Sequence, residues 1–291
     1  MNVITADAGS VTGLDHVGFI VPDLDATAEL VEQLGFRQTG RADHTRTNSA
    51  GERVSAGSSQ RSVMLHQGYI EFMQITDPAA GHQLAPATGV RHGLHVLALG
   101  TDDAAACRGA RVAAGVSTGP LLHWSRQVLE GPCQGEARFN YFDSRWDPQD
   151  PSYVCWVQHL TPELMRPPHL LQHDNGAVAL MGVHYSGPGR LAQPWIEQLT
   201  RAGAQVCGST STRTSLRLGD AGIEVGVDDG LQSLRPSAIV IAFSGVSVMQ
   251  DRCLRLGVPV QRAGDGSLAV DLVERFGLRI ICTPASVRSA P

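Results

Sequence analysis

Four times along the chain an apolar run is followed by an amphipathic stripe and then by short, strand-like stretches. The first run, GLDHVGFIV from Gly13 to Val21, has the composition of a buried strand. Asp23 follows as a helix N-cap, and Leu24, Ala28 and Val31 fall at i, i+4 and i+7 on one helical face. Gly35 stands where a helix is ended by a residue in the left-handed region. Stretches near 36–40, 62–66 and 69–75 read as strands, so the unit is β-α-β-β-β. The second unit opens on GLHVLAL, continues with a helix from Asp102 to about Ala114, and closes that helix at Gly115. Its strands are expected at 121–128, 137–142 and 153–160. The third opens on AVALMGVHY, carries Leu191, Trp195 and Leu199 on its helix, and ends the helix at Gly203. Strands are expected there at 205–208, 215–218 and 223–227. The fourth opens on SAIVIAF, with Met249, Cys253 and Leu256 before Gly257 and strands at 258–262, 268–271 and 278–282.

The pattern predicts an α+β fold of four βαβββ modules paired into two domains. The proline-rich stretch TPELMRPPHLLQHDNG separates the second unit from the third. It places one domain at residues 1–165 and a second pair of modules at 177–291.

Composition narrows the function classes. The chain has 291 residues, is 42% hydrophobic and carries a formal charge of −5. No basic run suggests a nucleic-acid partner. No apolar run approaches the ~18 residues of a membrane span, and the start lacks a secretory pattern, so a cytoplasmic protein is expected. The six cysteines are scattered and form no C-x-x-C pair, which removes zinc fingers and thioredoxin-like motifs. No G-x-G-x-x-G follows a strand, and no phosphate loop, hydrolase elbow or H-E-x-x-H is present.

The motif D-H-V-x-x-x-V-x-D-L-D, read in GLDHVGFIVPDLDA, resembles the vicinal oxygen chelate superfamily. GYIEFMQI resembles the fourth strand of such a unit, with Glu71 at the family's metal-ligand place. VQHLTPELM followed by HDNGAVALMGV is similar to the subgroup known as glyoxalase-like domains. The resemblance spans about residues 13–185. It implies that the paired modules form two curled β-cup domains, with one divalent metal ion (Fe, Mn, Zn or Ni) in the first cup and a small-molecule substrate. It does not imply one reaction, because the superfamily holds isomerases, ring-cleaving dioxygenases, transferases and drug-binding resistance proteins. Homodimers are common in the fold, although no interface stripe is readable.

The expected metal set is His16, Glu71 and His95: two imidazoles and one carboxylate, which leaves positions open for substrate. His16 stands 19 residues before Gly35, and His184 stands 19 before Gly203, so these two occupy equivalent places. His95 stands 20 before Gly115, one residue out; a one-residue slip turns a strand side chain to the other face, whereas a loop one residue longer would absorb the difference. Cys155 holds the place in the second unit that Glu71 holds in the first. His159, on the same strand face as Cys155, is the candidate catalytic acid or base or a fourth ligand. His184 and Glu224 make a degenerate second site. If the first and third units met instead, His16, Glu71, His184 and Glu224 would form one His₂Glu₂ set. Tyr141, Tyr153 and Trp156 are candidates to line the mouth of the first cup and pack on an apolar or aromatic substrate, though for most of them an ordinary core role is the stronger reading. Two functions follow. One is a metal-dependent enzyme of lyase, isomerase or ring-cleaving dioxygenase type acting on a small oxygenated metabolite. The other is a metal-free protein of the same fold that sequesters a ligand.

Overall fold

The structure, a computed structural model, describes residues 9–47, 51–80, 82–85, 91–128, 134–145, 147 and 149–285. The first module runs β1 (Val11–Ile20), α1 (Leu24–Gln33), β2 (Ala42–Thr47), β3 (Arg53–Met64) and β4 (Tyr69–Ile75). The second runs β5 (Gly93–Thr101), α2 (Ala104–Ala113), β6 (Leu122–Val128), β7 (Gly135–Asp143) and β8 (Tyr153–His159). A short helix α3 (Pro162–Met165) and a turn at Pro168–Leu170 lead into the third. That module holds β9 (Ala177–Gly187), α4 (Gly189–Ala202), β10 (Gln205–Ser209), β11 (Arg213–Leu218) and β12 (Ala221–Val227). The fourth holds β13 (Arg235–Phe243), α5 (Val246–Arg255), β14 (Val260–Arg262), β15 (Leu268–Leu272), α6 (Val273–Phe276) and β16 (Leu278–Pro284).

The strands form two eight-stranded sheets with one topology. The first has the order β2-β3-β4-β1-β5-β8-β7-β6, and the second has β10-β11-β12-β9-β13-β16-β15-β14. Within each module the first strand runs parallel to the last, and the two modules of a sheet join through antiparallel first strands. Adjacent modules therefore share a sheet. His16 and Glu71 lie in one sheet and His184 and Glu224 in the other, so the four-residue set from the first and third units is not assembled.

Local chemistry sets the helix ends. The Asp23 carboxylate accepts from the Asp25 and Ala26 amides, and that of Asp103 accepts from the Ala106 amide. These side chains satisfy amides that have no partner within the helix. Gly35, Gly115, Gly203 and Gly257 all follow their helices with φ between +66° and +119°, the region that favours glycine.

The expected strand at 36–40 is loop: Phe36 is buried behind α1, and β2 begins six residues later. The segment expected at 62–66 is the end of a longer strand, β3. Ser58, Gln60 and Ser62 are buried on this strand, so an inward face made of polar residues hides the usual alternation.

One side of each sheet, with the helices, builds a single apolar core. It joins Leu14, Val17, Phe19 and Phe72 of the first sheet to Leu180, Ile239, Ile241 and Ile280 of the second. Phe276, at the end of α6, packs on Phe19 at 6.0 Å and on Phe72 at 5.4 Å between ring centroids. Trp156 belongs to this core rather than to the mouth of the cup. It stacks on Phe142 at 4.7 Å, and its indole N–H donates to the Ala202 carbonyl. Among the described residues no helix is long and apolar enough to cross a membrane.

Candidate functional site

The opposite, concave face of the first sheet is a cup. Residues that alternate with the core residues point into it. His16 precedes the core residue Val17, and Glu71 lies between the core residues Ile70 and Phe72. In the parallel pair of β1 and β4, His16 is level with Tyr69 and Gly18 is level with Glu71. His16 and Glu71 thus share one face two positions apart. The imidazole of His16 stacks on Tyr69 at 4.3 Å.

Asp15 joins them because β1 is irregular there. Leu14 pairs with Leu99 and His16 with Ala98, so Asp15 is an extra residue, a β-bulge. Its buried carboxylate accepts from Nδ1–H of His16 at 2.7 Å and from Nε2–H of His159 at 3.0 Å. Burial pushes this carboxyl upward, but the hydrogen bonds from His159 and His16 outweigh it and hold the group well below the usual carboxylate range. An ionised carboxylate only accepts, so both histidines present their protons to it. Nε2 of His16 has no hydrogen-bond partner among the described residues. Nδ1 of His159 is buried and unpartnered.

A second cluster sits on the first-module wall. His44 Nε2 lies 3.9 Å from Glu71 Oε1, while its Nδ1 is hydrogen-bonded to Ser58 at 2.7 Å. The ring of His82 stacks on His44 at 5.7 Å, and burial, with the neighbouring His44, pushes His82 down to about 4. Sequence reasoning missed Asp15, His44 and His82. D-H-V showed an aspartate beside His16, but a regular strand would turn adjacent residues to opposite faces, and only the bulge brings both inward.

The second-module wall is aromatic. Tyr141 and Tyr153 pack with Ile20, Met73, Val96 and Cys155. Tyr153 donates to Asp143 at 2.9 Å and accepts from Gln83 at 3.1 Å. Burial, reinforced by Asp143 and Cys155, raises both phenols far above the ordinary tyrosine value. Cys155 is a buried thiol raised by burial and by the charges of Asp15, Asp143 and Glu71.

His95 does not reach the cup. Gly18 pairs with Val96 and Phe19 with Leu94, which leaves His95 as the extra residue of a bulge on β5. It is 0% exposed, and its Nε2–H donates to the Arg91 carbonyl at 2.9 Å. Burial, then the Arg91 charge, pushes it down to about 4. Val96 stands 19 residues before Gly115 and faces the cup in its place. The donors expected for a divalent ion are therefore not brought together. His95 is turned away, and a protonated thiol stands at the carboxylate place of the second module. Among the described residues no group of three or more His, Cys, Asp or Glu side chains is arranged to hold a metal ion. The described residues do not fit a resident chelated metal.

On the second sheet, His184 and Glu224 are level, with Nε2 3.7 Å from Oε2. Arg213 approaches the same oxygen at 3.2 Å. This carboxylate is compensated by an ion pair on an open face.

The model of the glyoxalase-like domain family matches residues 14–203. The chain belongs to this family. Its match takes in the first cup, the connecting segment, and β9 with α4. The glyoxalase-like domain lies within the vicinal oxygen chelate superfamily, which the paired βαβββ modules also display. No curated protein matches the chain. Solved structures share the fold at low identity. A hypothetical protein from Staphylococcus aureus is similar with a TM-score of 0.67 at 10% identity, over 94% of this chain and 99% of that one. A variant of 4-hydroxymandelate synthase from Streptomyces coelicolor gives 0.59 at 13%, over 94% and 92%. A variant of homoprotocatechuate 2,3-dioxygenase from B. fuscum gives 0.53 at 13%, over 99% and 75%.

Proposed function

We propose that this glyoxalase-like domain is an enzyme that moves a proton on a small oxygenated molecule held in the first cup. The observation that carries the reading is the Asp15 carboxylate, buried and gripped on both oxygens by His16 and His159. An aspartate that accepts from one ring nitrogen fixes the tautomer and leaves the other nitrogen as a base. His16 Nε2 takes a proton from the carbon next to a carbonyl. The C–H pair passes into the adjacent carbonyl, which becomes an enolate oxygen, and Asp15 stabilises the imidazolium that forms. Tyr141, whose phenol keeps its proton, supplies a donor for the oxygen where charge develops. His159 acts through Asp15 as a positioning residue. Glu71, beside His44, is a second acid–base group on the same face.

The test uses full-length protein purified without chelator or affinity metal. It is incubated in D₂O with hydroxyacetone, diacetyl or phenylpropanedione, and deuterium entering carbon is followed by NMR. Exchange is expected above the buffer rate and falls by about 10²-fold or more in His16→Gln, as for loss of a general base. Exchange unchanged in that variant overturns the reading. About one equivalent of Fe, Mn, Zn or Ni in the native protein, lost in His16→Ala and in Glu71→Ala, replaces it with the metal-centred enzyme. Tight binding without exchange replaces it with the ligand-sequestering protein.

A further inference from the structure

We propose that the first cup selects a flat aromatic molecule, with Trp124 and Phe139 as the stacking wall and His16 at its oxygen-bearing end. The proposal rests on the proton-transfer reading of the same site and names its substrate class.

Trp124 lies on β6, two residues beyond Leu122, which packs against the cup cluster. By alternation both point to the concave side. Phe139 lies on β7 directly opposite Trp124, two residues before Tyr141, and also packs against that cluster. Trp124 meets Tyr141 at 5.5 Å and 88°, edge to face. Phe139 lies 6.4 Å from the ring of His159, whose Nε2–H donates to Asp15. The aromatic wall is thereby continuous with the Asp15–His16 pair.

Both walls mix polar and apolar groups, but aromatic rings concentrate on one. The first module presents His16, His44, Glu71, Ser58 and Gln60 with Tyr69 and Met73, and the second presents Trp124, Phe139, Tyr141 and Tyr153 with His159. Trp124 remains 36% exposed on β6, the edge strand of the sheet, while Leu122 on the same face and Phe139 opposite it are half-buried against the cup cluster. An indole that served only as core would be covered by the protein. Here part of its surface is left for something that enters the cup. A π face rewards a second π system beyond the area buried, with a preferred offset or edge-to-face geometry, and a puckered saturated ring of equal size gains only the area. The arrangement sorts ligands by ring flatness at one end and by oxygen substituents at the other.

The discriminating pair of probes is phenylpropanedione and its saturated counterpart cyclohexylpropanedione, titrated calorimetrically into the full chain. The phenyl compound is expected to bind on the order of ten-fold tighter. Trp124→Leu removes that preference and Trp124→Phe restores most of it, with unchanged circular dichroism in both. Equal affinity for the two probes overturns the aromatic wall, and so does no binding of either. If equal affinity comes with His16-dependent exchange, the proton-transfer reading survives alone. Selective binding without exchange leaves the wall standing and removes proton transfer. A change of oligomeric state in Trp124→Leu, with the preference intact, makes this surface a subunit interface and overturns the proposal.

Discussion

Asp15 is costly to bury and is held by two imidazole N–H donors, so removing its charge tests the site more cleanly than removing its bulk. Asp15→Asn keeps the shape but presents an amide to at least one ring N–H. Deuterium exchange in hydroxyacetone is expected to fall at least as far as in His16→Gln, while the fold is retained. NMR of the imidazole nitrogens would show the proton on Nδ1 of His16 in the native chain and its loss from that position in the variant. His95 makes the opposite contribution, to stability alone. Its folded value is about 4 against an unfolded value near 6.5, so the neutral form is the one the fold accepts. The unfolded chain binds the extra proton. The stabilisation is therefore complete above pH ~6.5 and is lost as the pH falls toward 4, by roughly 1.4 kcal/mol per pH unit. Denaturation by urea between pH 7 and 4.5 is expected to show a shallower dependence in His95→Gln, with exchange activity at pH 7 unaltered.

At the scale of elements, the segment between the sheets is a clasp. Nε2–H of His173 donates to the Met64 carbonyl, and its Nδ1 accepts from the Arg37 amide. Asn175, fully buried, donates to the Leu34 carbonyl and accepts from the Ala177 amide. Asn175→Ala strands a buried carbonyl and a buried amide, and is expected to cost about 2–4 kcal/mol in urea denaturation. HDNG stood out in the sequence only as part of a family pattern; the structure explains it as a tie. Other elements were legible for local reasons. Helices showed because their stripes run three or four residues apart and end on glycines in the left-handed region. His16 and Glu71 were marked by the family motif, and alternation with the core residues Val17, Ile70 and Phe72 is what turns both to the concave side. The hairpin β2–β3 was misplaced because its inward face is serine, glutamine and histidine, so no apolar period marks it. The bulges at Asp15 and His95 were illegible because an extra residue in a strand leaves no mark on composition. They decided the site, one adding an aspartate and the other removing a histidine.

At the scale of the molecule, both sheets share one core through Phe276, Phe19 and Phe72. Phe276→Ala deletes a buried ring and is expected to cost about 3–5 kcal/mol. Calorimetry should show one transition for the native chain that moves down as a whole in this variant. A first transition that stays in place while a second shifts would contradict the shared core. The bulge on β5 bears on how such a chain drifts between chemistries. Where the concave side needs a nitrogen donor it now has Val96, and where it needs a second carboxylate it has Cys155. Val96→His together with Cys155→Glu would offer a divalent ion four donors, with His16 and Glu71, without touching any backbone hydrogen bond. Zinc titration of that double variant is expected to give tight one-to-one binding that the parent lacks. On the proton-transfer proposal, two codons, rather than a new scaffold, separate such a cup from a metal-holding one.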